Sequence, residues 1–329
     1  MVLSEESSSK VLSSRKILQH PRVALRVVTT SLAQKRRPLR ALVSAMRPVQ
    51  WVKNGLLVIA PAAAHQMTHA VVFWRTVIAI IAFCFMASGI YIINDLRDAA
   101  SDRLHPTKRL RAVAAGELST RAALASAAVL IVIAFAIPLA LSSSRGLLLI
   151  LALYFVISIS YSLWLKNLAI IEMGAVASGF FLRAYAGAVT SHIDVSTWFL
   201  VVISFGALFL VVGKRTSELK NLAVNATRPV LGEYTLEFLR SALTLSATVV
   251  VTGYCLWAFD TSITGLSSTI NDFVPIRLTV VPVVFAVLFI LRSADAGDGA
   301  APEELLLHNR IVQVLALIWV GLLAWGVYG

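Results

Sequence analysis

Three acids spaced three and four residues apart, Asp95, Asp98 and Asp102, stand with Asn94 near the end of an apolar run that begins around Val71. The string reads Ile93-Asn94-Asp95-Leu96-Arg97-Asp98-Ala99-Ala100-Ser101-Asp102, and on a helix it sets the carboxylates along one face with Asn94 one turn before Asp98. Three acids on one face repel one another unless a cation lies between them. Hard oxygen donors on neighbouring turns suit Mg²⁺, which keeps several waters and is commonly completed by substrate phosphates. The competing explanation is a solvated helix end, but acids at the mouth of a membrane helix are costly and usually functional. A basic run follows at once, His105-Pro106-Thr107-Lys108-Arg109-Leu110-Arg111.

The rest of the chain must hold that string at a membrane surface. Its 329 residues are 58% hydrophobic and only 14% charged, with mean hydropathy +0.81, whereas soluble domains carry about 25% charged residues. A soluble globule is excluded; the fold class is all-α, a polytopic membrane bundle. Apolar stretches of about 20 residues predict about nine spans, at roughly 48–66, 71–95, 119–141, 146–165, 168–190, 196–213, 237–260, 273–292 and 309–328, the first weakened by Pro61. Basic residues crowd the segment up to Lys53, the stretch from Arg97 to Arg121 and that from Lys214 to Arg228, while the loops between hold almost none, only Arg75 and Arg145. The positive-inside rule then places the N-terminus and the polar motifs on the cytoplasmic side of the cell membrane, with the C-terminus outside.

Residues 1–40 are Ser-rich and basic, a flexible or interfacial cytoplasmic tail without the pattern of a signal peptide, and 41–329 form the membrane domain. The net charge of +12 lies beside membrane spans with no interleaved aromatic platform, so it serves topology, anionic lipid and phosphate contacts rather than nucleic acid. Cys84 and Cys255 fall within spans as small apolar residues, not a disulfide. His65 and His69 have the spacing of a metal pair but lie on the side away from the acids.

Further polar residues gather on the acidic side. Tyr161-Ser162-Leu163-Trp164-Leu165-Lys166-Asn167 follows the fourth span, and Glu172 opens the fifth; a lysine there is either a snorkelling anchor or part of a polar wall opposite the acids. Lys214 and Arg215 end the sixth span, where cations complement the helix dipole or bind a ligand. At the head of the first span, Arg47-Pro48-Val49-Gln50-Trp51-Val52-Lys53-Asn54 offers Lys53 as the functional candidate and Trp51 as an interfacial belt residue. Arg183, deep in the fifth span, must face the bundle interior and find a phosphate or an internal carboxylate.

Taken jointly, these stretches, with Leu182-Arg183-Ala184, Gly187 and Val212-Gly213-Lys214-Arg215, resemble the UbiA superfamily of intramembrane prenyltransferases over about residues 42 to 328. Within it they resemble the branch that moves 5-phosphoribosyl from phosphoribosyl diphosphate to decaprenyl phosphate, a polyprenyl phosphate, for cell-wall arabinan. The resemblance implies Mg²⁺ on Asn94, Asp95 and Asp98, with Asp102 a further candidate. It implies Lys108, Arg109 and Arg111, with Lys166, on the donor phosphates, and Lys53 or Lys214 and Arg215 steering the lipid phosphate. Ordinary members carry a second Asp-rich motif after the fourth helix. Tyr161, Lys166 and a lone Glu172 stand there instead, a cationic inventory suited to more phosphate. The implied partners are both substrates and membrane lipids, with a homo-oligomer an open option. Two rivals are a prenyltransferase acting on an aromatic acceptor and a non-catalytic lipid or solute transporter.

Overall fold

The computed structural model describes residues 38–139, 145–221, 229–260, 270–297 and 309–328. The basic tail, apart from 38–40, and Arg228 lie outside these. The described residues hold helices and turns and no strand: α1 (Pro38–Met46), a 3-10 segment (Pro48–Val58), α2 (Ile59–Ala63), α3 (Ala70–Leu104), α4 (Thr120–Leu139), α5 (Arg145–Leu163), α6 (Ile171–Ser191), α7 (Thr197–Lys220), α8 (Leu236–Phe259), α9 (Ile270–Leu278), α10 (Val280–Ala296) and α11 (Arg310–Tyr328).

Among the described residues, seven helices are long and apolar enough to cross a membrane: α3, α4, α5, α7, α8, the stretch Val274–Ala296 and Arg310–Val327. The chain is a multi-pass membrane protein. The other two stretches expected as spans are helical but are not among these seven. The first is not an α-helix throughout: 11 residues of 3-10 helix rising ~2.0 Å each and the five residues of α2 at ~1.5 Å each together cover about 30 Å, the thickness of the hydrocarbon layer. Pro61 lies buried at the third position of α2, and the helical path from the 3-10 segment continues through it. The second is α6, whose apolar character is diluted by Glu172, Arg183 and many small residues.

Two helices run past the ends that hydropathy set. The second span, expected at 71–95, is helical to Leu104, and the sixth, expected to stop at 213, reaches Lys220. Apolarity ends where the acids and cations begin, but the helical hydrogen-bond ladder does not. The 35 residues of α3 span about 52 Å at ~1.5 Å each, more than the hydrocarbon layer requires, so the 94–102 run lies in the overhang.

Helix α6 is the hub: it packs against α5, α7, α3, the 3-10 segment and α2. Small residues let those neighbours approach, as expected where lipid offers no hydrophobic drive for helices to associate. The closest approach is at Gly187, where a Cβ would stand 2.0 Å from the Leu57 carbonyl oxygen. Gly187→Val should therefore destabilise the protein by about 3 kcal/mol or more, read as a fall in thermal unfolding temperature in detergent. Gly174→Ala, on the same helix with nothing within 4 Å, should leave stability unchanged or raise it by up to ~1 kcal/mol.

Candidate active site

The acids of the α3 overhang are each engaged by a cation. Asp95 and Asp102 are buried, at 2% and 3% exposure. Asp95 Oδ1 accepts from the Arg47 guanidinium and from Arg111 Nη1 at 3.3 Å, and the same Arg111 nitrogen lies 2.7 Å from Asp102 Oδ2. Asp98 is partly exposed: its Oδ1 lies 2.9 Å from Lys166 Nζ and its Oδ2 accepts from Asn94 Nδ2 at 3.2 Å. The structure thus brings together Asn94, Asp95, Asp98, Asp102, Arg111 and Lys166 from the sequence-derived set and adds Arg47.

Loop architecture explains how Lys166, 68 residues from Asp98, arrives there. Arg97 turns away from the acids and donates to the Ser162 and Leu163 carbonyls, so a cation of α3 caps the C-terminus of α5. The next turn presents Lys166. Beyond it, Ile170 stands at φ 67°, costly for a β-branched residue, and its N–H donates to the Tyr234 hydroxyl at 2.7 Å. Burial pushes the Tyr234 phenol above its ordinary range, keeping it neutral. After α3, His105 Nδ1 accepts from the N–H groups of Thr107 at 3.2 Å and Lys108 at 3.3 Å, and Arg103 Nε donates to the Ala114 carbonyl at 3.3 Å. That fold of the loop returns Arg111 to the acids and leaves Arg109 exposed and Lys108 half-buried.

A cavity of about 200 Å³ opens beside the acids, with Arg47, Lys53, Asn94, Tyr161 and Arg183 in its wall. Lys53 Nζ lies over the Phe180 ring, 5.7 Å from its centroid. Arg183 is 4% exposed and finds no carboxylate among the described residues: Nε donates to Asn54 Oδ1 at 2.8 Å, Nη1 to the Gly179 carbonyl at 2.6 Å and Nη2 to the Tyr154 hydroxyl at 2.7 Å. Its guanidinium also lies 4.6 Å from the Tyr154 ring centroid. Trp51, expected in an interfacial belt, turns inward and donates to Ser88 Oγ at 3.1 Å.

Glu172 and Arg215 meet each other instead of lining this cavity. Arg215 Nε and Nη2 grip the two Glu172 oxygens at 2.6 and 2.7 Å, and Nη1 reaches Glu218 at 2.6 Å. Both Glu172 and Arg215 are buried, and the bidentate fork joins α6 to α7. Lys214, half-buried beside them, and Lys108 and Arg109 are likewise not among the cavity-lining residues. His65 Nδ1, remote from the acids in sequence, donates to the Val327 carbonyl at 2.5 Å, and both cysteines carry free thiols.

Among the described residues no three His, Cys, Asp or Glu side chains converge as a ready metal cage. The donors present still fit Mg²⁺: Asn94, Asp95, Asp98 and Asp102 offer hard oxygens on consecutive turns, and this ion binds through one or two carboxylates with waters and substrate phosphates completing the shell. Sequence reasoning missed Arg47, Asn54 and Tyr154. An arginine before a span reads as a topology signal, and an asparagine or tyrosine inside one reads as ordinary polarity; only their partners on α3 and α6 set them apart.

Comparison with known proteins accords with this geometry. Residues 55–311 match the UbiA prenyltransferase family. A decaprenyl-phosphate phosphoribosyltransferase of Corynebacterium glutamicum is 39% identical, covering 90% of this chain and 90% of its own length. The enzyme of that name from Mycobacterium tuberculosis is 38% identical, covering 85% and 91%. Among solved structures, a UbiA homolog from Archaeoglobus fulgidus bound to GPP and Mg²⁺ superposes with TM-score 0.64 at 19% identity over 87% of this chain and 98% of that one. A digeranylgeranylglyceryl phosphate synthase does so with TM-score 0.61 at 13% identity over 89% and 98%. An α3 overhang of compensated acids, a cationic cavity beside it and a small-residue hub helix are thus the form taken here by a member of the UbiA prenyltransferase family, to which this chain belongs.

Proposed function

We propose that the chain transfers 5-phosphoribosyl from phosphoribosyl diphosphate to a polyprenyl phosphate, of the decaprenyl type named for its relatives, releasing diphosphate for use of the product in cell-wall arabinan synthesis. The observation that carries the reading is the cavity wall: Arg47, Lys53 and Arg183 stand in it, Lys166 reaches the adjacent Asp98, and no described carboxylate lines it. A donor with a diphosphate and a 5-phosphate, joined by a phosphorylated acceptor, needs such an excess of cations. An aromatic acceptor does not. The basic ends of α3 and α7 support a cytoplasmic N-terminus and a site facing the cytoplasm.

The mechanism follows from the charges. Asn94, Asp95, Asp98 and Asp102 are the residues that would hold Mg²⁺, which when bound neutralises a diphosphate leaving group as a Lewis acid. Arg111 and Lys166 bind the donor phosphates, and exposed Arg109 with Lys108 draws them to the mouth. As the C1–O bond to diphosphate breaks, the ribose gains oxocarbenium character, and fixed cations supply most of the stabilisation. Lys53 holds the lipid phosphate, whose oxygen attacks C1 from the opposite face with inversion, while the prenyl chain lies among apolar helices. An ionised phosphate monoester needs no general base. The Arg183, Asn54 and Tyr154 cluster shapes the cavity, and the Glu172 to Arg215 pair positions α6 against α7.

Purified protein with Mg²⁺, labelled phosphoribosyl diphosphate and a polyprenyl phosphate should move label into the organic phase. An extract without lipid-linked pentose phosphate would rule the reading out, and prenyl diphosphate consumption with an aromatic acceptor would replace it. Asp98→Asn should cut turnover by about 10²-fold or more while the unfolding temperature stays within a few degrees; near-normal turnover removes Asp98 from the metal set. Glu172→Gln should cost about 3–5 kcal/mol of stability by stranding Arg215. Adding Arg215→Met to that variant should restore part of it, as calorimetry in detergent can measure.

A further inference from the structure

Each acid that a metal would need is held by a cation that a phosphate would need. Asp95 is bound by Arg47 and Arg111, Asp102 by Arg111, and Asp98 by Lys166, so three carboxylates face three cations. Arg47 occupies the pivotal place. Its backbone is left-handed, at φ 53°, a conformation that an arginine rarely adopts. The guanidinium lies 5.1 Å from the Tyr91 ring centroid, stands in the cavity wall and at the same time touches Asp95 on α3. One side chain therefore borders both the space for an anion and the acid that a metal would claim.

We infer that the site is locked by its own charges: Mg²⁺ and the diphosphate of the donor bind as a coupled pair, with Arg47 exchanging Asp95 for phosphate as the residue that links them. The inference rests on the phosphoribosyl diphosphate reading and adds the order of events within that site. A divalent ion arriving alone meets acids already neutralised and must strand a half-buried arginine or lysine to displace it. Diphosphate arriving alone takes the cations and leaves Asp95 and Asp102 buried without them, beside new negative charge. Arriving together, each releases the partner that the other needs. Linkage makes the effect reciprocal: the factor by which diphosphate tightens Mg²⁺ is the factor by which Mg²⁺ tightens diphosphate. Run in reverse, the Arg47–Asp95 and Lys166–Asp98 pairs re-form as product diphosphate leaves.

The full chain in detergent can be titrated calorimetrically with Mg²⁺, with inorganic diphosphate and with phosphoribosyl diphosphate, singly and combined, correcting for the Mg²⁺–diphosphate complex in solution. Mg²⁺ should bind about tenfold or more tightly in the presence of either diphosphate than in its absence. In Arg47→Gln, Mg²⁺ alone should bind more tightly than to wild type, because Asp95 has lost a competitor, while the enhancement by diphosphate shrinks severalfold. Arg47→Lys should keep part of the enhancement. A merely structural role for Arg47 would lower both affinities together. If the Arg47 variants do not fold, Lys166→Gln, which frees Asp98, carries the same expectation. Equal Mg²⁺ affinity with and without diphosphate in wild type, or weaker binding of Mg²⁺ alone to folded Arg47→Gln and Lys166→Gln, overturns the lock. Label transfer without coupling overturns the lock alone, whereas coupling by inorganic diphosphate without label transfer overturns the proposed function alone.

Discussion

A charge next to hydrocarbon is tolerable only with its countercharge in hand, and that constraint organises this molecule. Removing one partner of a buried pair costs several times what the pair contributes, because the survivor keeps its desolvation without its compensation. Arg215 holds both oxygens of Glu172, Arg111 is shared between Asp95 and Asp102, and Arg183 draws on an amide, a carbonyl and a phenol. Such pairs join elements far apart in the chain. The helices are consequently placed by their few polar residues as much as by their many apolar ones.

The two kinds of ion pair do different work. The Glu172–Arg215 fork is buried on both sides and stands apart from the cavity, so it behaves as a rivet between α6 and α7. The pairs around Asp95 and Asp98 border an opening, and their cations retain about a quarter of their side-chain exposure, 26% for Arg47 and 27% for Lys166. An ion pair within reach of water can exchange partners; one sealed away from it cannot. That difference separates the part of the polar interior suited to chemistry from the part suited to architecture.

How much of this was legible in the sequence depends on the distance over which each relation acts. The shared face of Asn94, Asp95, Asp98 and Asp102 was readable because helical periodicity is local. The identity of Arg183 as an interior cation was readable because few residues are so expensive at that depth. What could not be read was pairing: Arg47 and Asp95 are 48 residues apart, Arg183 and Asn54 are 129, and nothing in composition couples them. Helix ends failed for a related reason. Hydropathy marks where the apolar run stops, while α3 and α7 continue beyond it with buried polar residues, Asp102 on one and Arg215, Thr216 and Ser217 on the other. Arg97, counted as one more topology signal, instead spends its charge capping α5.

The 3-10 segment at the head of the first span has a geometric corollary. With three residues per turn, positions three apart stand in a straight row instead of drifting around the axis. Trp51, Asn54 and Leu57 form one such row, meeting Ser88, Arg183 and Gly187 in succession, while Lys53 occupies the neighbouring row that borders the cavity. The segment is in effect a ratchet with three teeth per turn. Inserting a single residue between Val52 and Lys53 would advance every later position by a third of a turn, putting the lysine where Asn54 meets Arg183 and the asparagine where Gly55 stands, so this stretch tolerates substitution far better than any change in length.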